Sequence, residues 1–212
     1  MKYVVLFVVS FIPFLPSSAQ YDLYNRLYYY DGYYNNFELA KEQFVDVRIL
    51  DLSGQGLDKI PHEIQYLENL EVLILRNNAI EEIPYSLQYL KNLRVLDLSN
   101  NNMKQMSYVI QYLNNLNVLN VSGNQLKELS YSIQYLKLLQ RLDASNNDLS
   151  SLPSSIQYLK KLEVLHLDDN PLRLSHSIQY LDKLEVLTLT NTQVNEMPYY
   201  VKNMKKLRVF EF

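Results

Sequence analysis

One short string dominates the chain. Ile-Gln-Tyr-Leu stands at 64–67, 110–113, 133–136, 156–159 and 178–181, and Leu87-Gln-Tyr-Leu90 is a sixth copy with one change. Between the copies runs Leu-x-x-Leu-x-Leu-x-x-Asn-x-Leu, beginning at Val47, Leu70, Leu93, Leu116, Leu139, Leu162 and Leu184. The step is 23 residues, except for one of 22 between Leu162 and Leu184. An eighth unit opens at Leu207 and reaches Phe212 inside its strand. Self-similarity at this period marks stacked modules, because one module cannot bury its own apolar surface. The chain is therefore expected to be a solenoid with one continuous core and nearest-neighbour stability.

Each unit can be read physically. Leu50 and Leu52 alternate with outward residues, the period of a strand, and the pair recurs as Leu73/Leu75, Leu96/Leu98, Leu119/Val121, Leu142/Ala144, Leu165/Leu167 and Leu187/Leu189. A turn follows at Asn78, Asn101, Asn124, Asn147 and Asn170. A carboxamide both donates and accepts, so stacked asparagines are expected to form a ladder that satisfies the buried turn backbone. Gln55 and Thr192 replace it in the first and last full units, and terminal repeats are commonly atypical. The return path runs through Ile60-Pro61, Ile83-Pro84, Leu152-Pro153 and Met197-Pro198, with proline expected at the first position of a short helix or 3₁₀ turn.

This pattern resembles the leucine-rich repeat. The 23-residue form with Leu-Pro-x-x-Ile-x-x-Leu is similar to the repeats of Ras-group and Scribble-type scaffold proteins. The entry sequence from Val47 to Leu57 resembles the opening of many bacterial leucine-rich repeat proteins. The resemblance implies an α/β solenoid: an arc with a parallel concave sheet, short helical or 3₁₀ convex segments, and a concave binding face. It implies no particular ligand, since the scaffold serves many partners.

The ends read differently. Lys2, the apolar run from Tyr3 to Leu15 and the small residues Ser17-Ser18-Ala19 have the layout of a secretory signal peptide over 1–19, cleaved before Gln20. Left uncleaved, the same segment would be an N-terminal anchor; no other stretch is apolar enough to span a bilayer. Residues 20–46 must then close the N-terminal end of the repeat domain at 47–212. Asn35-x-x-Glu38 reads as a capping box for a helix over 36–44, with Phe37, Ala40 and Phe44 on one face. Ahead of it, 21–34 holds seven tyrosines in fourteen residues, either a loosely docked arm or an adhesive aromatic segment. Phe210 and Phe212 fall on the two inward positions of the last strand, an uncovered edge that would also permit a homodimer.

Candidate contact residues lie on the outward strand positions. A valine stripe (Ile49, Val72, Val95, Val118, Val164, Val186 and Val209, broken by Arg141) reads as packing between strands. In the first three repeats Arg48, Arg76 and Arg94 cancel Asp51, Glu71 and Asp97. In repeats five to seven Asp143, Glu163, Asp168, Asp169 and Glu185 face Arg141 alone, with His166 among them. That half is acidic: an ordinary solvated face or a site for a basic protein partner. Carboxylates beside an imidazole suit a divalent ion on paper, but no ligand-spacing motif supports a metal. On the outer face Tyr66, Tyr89, Tyr112, Tyr135, Tyr158 and Tyr180 recur once per repeat, with a partial second row at Tyr85, Tyr108, Tyr131 and Tyr199. These rows read as stacking between copied units, or as an aromatic contact surface for glycan or protein.

The chemistry the chain lacks narrows its function. With no cysteine there is no disulfide, thiolate zinc site or thiol nucleophile. A net charge of −3 argues against nucleic acid as partner. No Ser-His-Asp set, paired-carboxylate cleft or phosphate loop appears, so no catalytic residue, cofactor or metal is assigned. Asn120-Val-Ser122 is a glycosylation sequon in form, placed where a glycan would obstruct the strand face. The expected function is a non-enzymatic, secreted or surface protein-binding module. An adhesion protein using its tyrosines, and a scaffold of small-GTPase signalling, are the alternatives.

Overall fold

A computed structural model describes residues 32–212; the segment read as a signal peptide and most of the tyrosine-rich arm lie outside the described residues. Among the described residues, nine short strands form one open parallel sheet in strict sequence order. They are β1 (Tyr33–Tyr34), β2 (Ile49–Asp51), β3 (Val72–Ile74), β4 (Val95–Asp97), β5 (Val118–Asn120), β6 (Arg141–Asp143), β7 (Val164–His166), β8 (Val186–Thr188) and β9 (Val209–Glu211). Leu50, Leu73, Leu96, Leu119, Leu142, Leu165 and Leu187 pair with one another in register, and all are fully buried. The 22-residue unit leaves this register intact, since Leu165 still faces Leu187.

The asparagines form a continuous ladder. Asn124 Nδ2 donates to the carbonyls of Leu98, Val121 and Ser122 at 3.0–3.1 Å, and its Oδ1 accepts from the Met103 N–H at 3.0 Å. Asn78, Asn101, Asn147 and Asn170 repeat the pattern one unit apart. Each carboxamide thus joins its own turn to the preceding repeat. Thr192 keeps a reduced version, donating to Leu189 O and accepting from Val194 N, while Gln55 reaches Asn35 O instead.

A second row accompanies the ladder one residue earlier. Gly54, Asn77, Asn100, Gly123, Asn146, Asp169 and Asn191 all have φ between 52 and 65°. That left-handed conformation favours Gly, Asn and Asp, which explains why no other residue type occurs there. Asn100 donates to Asn77 Oδ1 at 3.0 Å, and its own Oδ1 lies 2.1 Å from where a Cβ on Gly123 would sit. A side chain on Gly123 would therefore have to displace the Asn100 carboxamide.

The return path forms 3₁₀ turns at His62–Tyr66, Tyr85–Tyr89, Tyr108–Tyr112, Tyr131–Tyr135, Ser154–Tyr158 and His176–Tyr180, with one helical turn at Tyr199–Lys202. Pro61, Pro84, Pro153 and Pro198 stand at the N-cap, one residue ahead of the expected first helical position. Where proline is absent, Ser107, Ser130 and Ser175 take the same place and accept a hydrogen bond from the N–H two residues on. Fixed φ and side-chain capping are two solutions to one problem, holding the chain as it enters the turn.

At the N-terminal end, helix α1 spans Phe37–Glu42. Its cap is Asn36, whose Oδ1 accepts from Glu38 N and Leu39 N, and not the expected Asn35; the helix is correspondingly shorter than 36–44. Ala40 is buried, and Phe37 and Phe44 pack against the core beside it. The last two tyrosines of the arm are not loose, because β1 pairs with β2 and extends the sheet. At the other end only Phe210 packs against the core; Phe212 is 52% exposed, so the expected second inward ring points to solvent.

Two substitutions separate ladder from filler. Asn124→Ala orphans the buried Met103 N–H, while the Leu98, Val121 and Ser122 carbonyls each keep a second donor; at about 1–3 kcal/mol per unsatisfied group, it should cost about 1–3 kcal/mol. Ser155 Oγ is fully buried without a hydrogen bond, and Val109 fills the matching place two repeats earlier. Ser155→Ala should therefore be neutral or stabilising by up to about 1 kcal/mol. Urea unfolding midpoints of the two variants against the parent chain test both expectations.

Candidate binding surface on the concave face

The inner wall is built from the residues flanking each buried strand leucine. Ile49, Val72, Val95, Val118 and Val164 are themselves buried, closed over by their neighbours in the adjoining strands. The valine stripe belongs to the packing of the sheet and offers little to a ligand. Accessible chemistry falls instead on the rows beside it and on Arg141, which interrupts the stripe in β6. Burial pulls the Arg141 guanidinium below its ordinary value, and the nearby Glu163 carboxylate opposes that shift.

The N-terminal half neutralises itself. Arg48 Nη1 donates to Glu71 Oε1 at 3.3 Å, and Arg94 Nε lies 3.6 Å from Glu71 Oε2. Asp51 and Asp97 turn back on their own chain, each accepting from the N–H and hydroxyl of the serine two residues on. Asp97 is only 1% exposed. Burial raises its carboxyl above the usual range, against the two Ser99 hydrogen bonds and the Arg76 charge.

The C-terminal half gathers a polar network. Asp143, His166 and Thr188 are register partners in β6, β7 and β8. His166 Nδ1 lies 2.8 Å from Thr188 Oγ1, and Thr188 donates its hydroxyl proton to Asp168 Oδ2. A hydroxyl has one proton to give. With that proton directed at Asp168, the Thr188 hydroxyl oxygen stands between the carboxylate and the His166 ring. Asp168 Oδ1 also accepts from Thr190 N at 2.7 Å. Burial raises the Asp143 carboxyl; the Ser145 hydrogen bonds and His166 oppose this, and Asp168 adds to it.

Of the acids singled out in the sequence, the structure brings Asp143, Glu163 and Asp168 to this wall with Arg141 and His166. Asp169 is diverted: it occupies the left-handed turn at the rim and accepts from Asn191 Nδ2 at 2.7 Å. Glu185 lies 3.8 Å from Arg208, a partner from the final unit. Sequence reasoning missed Thr188 and Arg208. Both become visible when the units are written one beneath another, since Thr188 shares a column with Asp143 and His166. Among the described residues no three acidic, imidazole or thiol groups are placed to hold a metal ion. Asn120 is 3% exposed and accepts from Ser122 N and Oγ, so the folded chain does not present the sequon.

Stacked parallel strands, a carboxamide ladder and a wall of variable side chains define a repeat scaffold that presents surface residues. Comparison with known proteins gives the class its name. A leucine-rich repeat region profile matches residues 85–212, and a leucine rich repeat profile matches 46–103. The chain belongs to the leucine-rich repeat family. Among solved structures, a leucine-rich repeat protein of Leptospira interrogans superposes with a TM-score of 0.71 at 27% identity, over 84% of this chain. The plant peptide hormone receptor RGFR1, in complex with RGF2, superposes with a TM-score of 0.66 at 29% identity, over 81% of this chain. The chain spans 58% of the length of the first and 29% of the second. No curated protein matches the sequence. Leucine-rich repeat proteins are typically non-enzymatic and commonly mediate protein binding.

Asp97 offers a test of this electrostatic description. A carboxyl whose folded pKa is raised binds more protons folded than unfolded, so stability falls as pH rises from the unfolded value through the raised one. Asn120 already serves in the next strand with the same serine hydrogen bonds at the same 3.0 and 2.7 Å. Asp97→Asn should therefore raise stability at pH 7 by about 1 kcal/mol, the scale of one buried polar group, and flatten the fall in stability as pH rises above the ordinary carboxyl range in urea melts.

Proposed function

We propose that the chain is a secreted binding module that holds a basic protein or peptide segment against the concave wall of repeats five to seven. The observation that carries this reading is the contrast between the two halves. Arg48, Glu71 and Arg94 satisfy one another in the N-terminal half. Asp143 and Asp168 lie beside His166, and Glu163 stands near Arg141, the counter-charge. A cationic side chain entering there would meet carboxylates held by the fold, so little ordering entropy opposes it. The peptide carried by the structurally similar hormone receptor shows what this kind of scaffold accommodates. Secretion rests on the sequence of residues 1–19, which also weighs against a role in cytoplasmic GTPase signalling.

Lysine- and arginine-rich peptides should bind the purified chain, with acidic peptides of equal length as controls, in fluorescence anisotropy titrations. Glu163→Lys should weaken binding at least about tenfold, a loss of about 1.4 kcal/mol. Binding should also weaken between 50 and 500 mM salt, as exposed charge pairs are screened. Equal affinity of Glu163→Lys and parent would end the concave-face reading. N-terminal sequencing of the protein recovered outside the cell should begin at Gln20; an intact Met1 would end the cleaved-signal reading.

A further inference from the structure

The convex side carries chemistry that concave binding does not use. Six 3₁₀ turns end on a tyrosine, and three consecutive ones, at 85–89, 108–112 and 131–135, also begin with one. Their sequences are Tyr-Ser-Leu-Gln-Tyr, Tyr-Val-Ile-Gln-Tyr and Tyr-Ser-Ile-Gln-Tyr. Leu87, Ile110 and Ile133 fill the core from the middle of each turn. The solvent side is left with aromatic rings and the half-buried amides of Gln111 and Gln134, Gln88 being buried, and with no formal charge within these three turns. Tyr85, Tyr108 and Tyr131 are 56, 56 and 61% exposed, more than packing between repeats requires. Exposed aromatic surface on this scale marks a contact site.

Cations flank the rings. Lys91 Nζ lies 5.4 Å from the centre of the Tyr112 ring, and Lys137 Nζ lies 5.1 Å from that of Tyr158. Lys160 sits 5.8 Å over Tyr180, but it is also 3.2 Å from the Asp182 carboxylate, which takes up its charge. Lys91 and Lys137 meet no carboxylate within ion-pair reach among the described residues, so aromatic faces alone hold them. The opposite wall is acidic. An anion is therefore repelled by one face and drawn to the other.

We propose that the convex surface over residues 85–137 binds a linear acidic polysaccharide. Aromatic faces stack on the apolar faces of sugar rings, the Gln111 and Gln134 amides pair with hydroxyls, and Lys91 and Lys137 meet carboxylate or sulfate groups. A polymer suits the site because the site is itself periodic. Each added sugar unit meets a further copy of the same two side chains, so weak contacts combine at high effective concentration.

Affinity electrophoresis of the full chain through gels containing polygalacturonate tests this, with dextran as a neutral sugar and polyglutamate as an anion without sugar. Polygalacturonate should retard the protein, and dextran and polyglutamate should not. Lys91→Glu/Lys137→Glu and Tyr108→Ala/Tyr131→Ala should each reduce the retardation at least tenfold. Tyr108 and Tyr131 are mostly exposed, so an unchanged urea midpoint will show that the second pair remains folded. Glu163→Lys should bind the polysaccharide like the parent, which separates this site from the concave one. Equal retardation by polyglutamate or by dextran, no retardation by polygalacturonate, or full binding by the folded tyrosine pair would overturn the proposal.

Discussion

The carboxamide ladder is the constraint from which the rest of the molecule follows. A turn that must be buried carries carbonyl and N–H groups that water cannot reach, and an unpaired group there is costly. Asn78, Asn101, Asn124, Asn147 and Asn170 meet that demand with one side chain each, because a carboxamide donates with one end and accepts with the other. Once the turns are fixed in this way, the leucines of successive strands fall into register. The core then needs only side chains of about the right volume: Val121 and Ala144 both serve where other units have leucine, each fully buried.

Function is placed by the same constraint. The ladder and the leucines consume the residues that face inward, leaving surface chemistry to the outward strand positions and the ends of the 3₁₀ turns. The outward positions carry the Arg48–Glu71–Arg94 set in one half and the network round His166 in the other. The turns carry tyrosines. Two surfaces of opposite chemical character therefore lie on one backbone, and neither disturbs the other.

Much of this could be read from the sequence because the fold is a translation repeated along the chain. Leu50 and Leu73 occupy the same environment, so one correct assignment propagates. The left-handed row escaped that reading although its signal was complete: only Gly, Asn or Asp stands before each ladder position from Gly54 to Asn191. The wall was legible in composition but not in pairing. Glu185 is partnered by Arg208 a full unit later, and Asp169 is turned to the rim by its φ of 54°. Such facts depend on which side chain leans across which gap, and periodicity does not carry them. The Asn36 cap is similar, since two adjacent asparagines offer the same group and only the path of the chain selects between them.

The ladder also has a direction. Asn101 reaches back to Leu75 O and Ile80 N, and Asn124 back to Leu98 O and Met103 N; each repeat seeks its partners in the one before it. A ribosome delivers the chain in that same order, the first-made portion folding first. Every newly emerging unit thus completes the one before it, its asparagine and strand carbonyls satisfying N–H groups such as those of Met103 and Leu98. Assembly of this solenoid can keep pace with its own synthesis, growing like a zipper closed from the end that is made first.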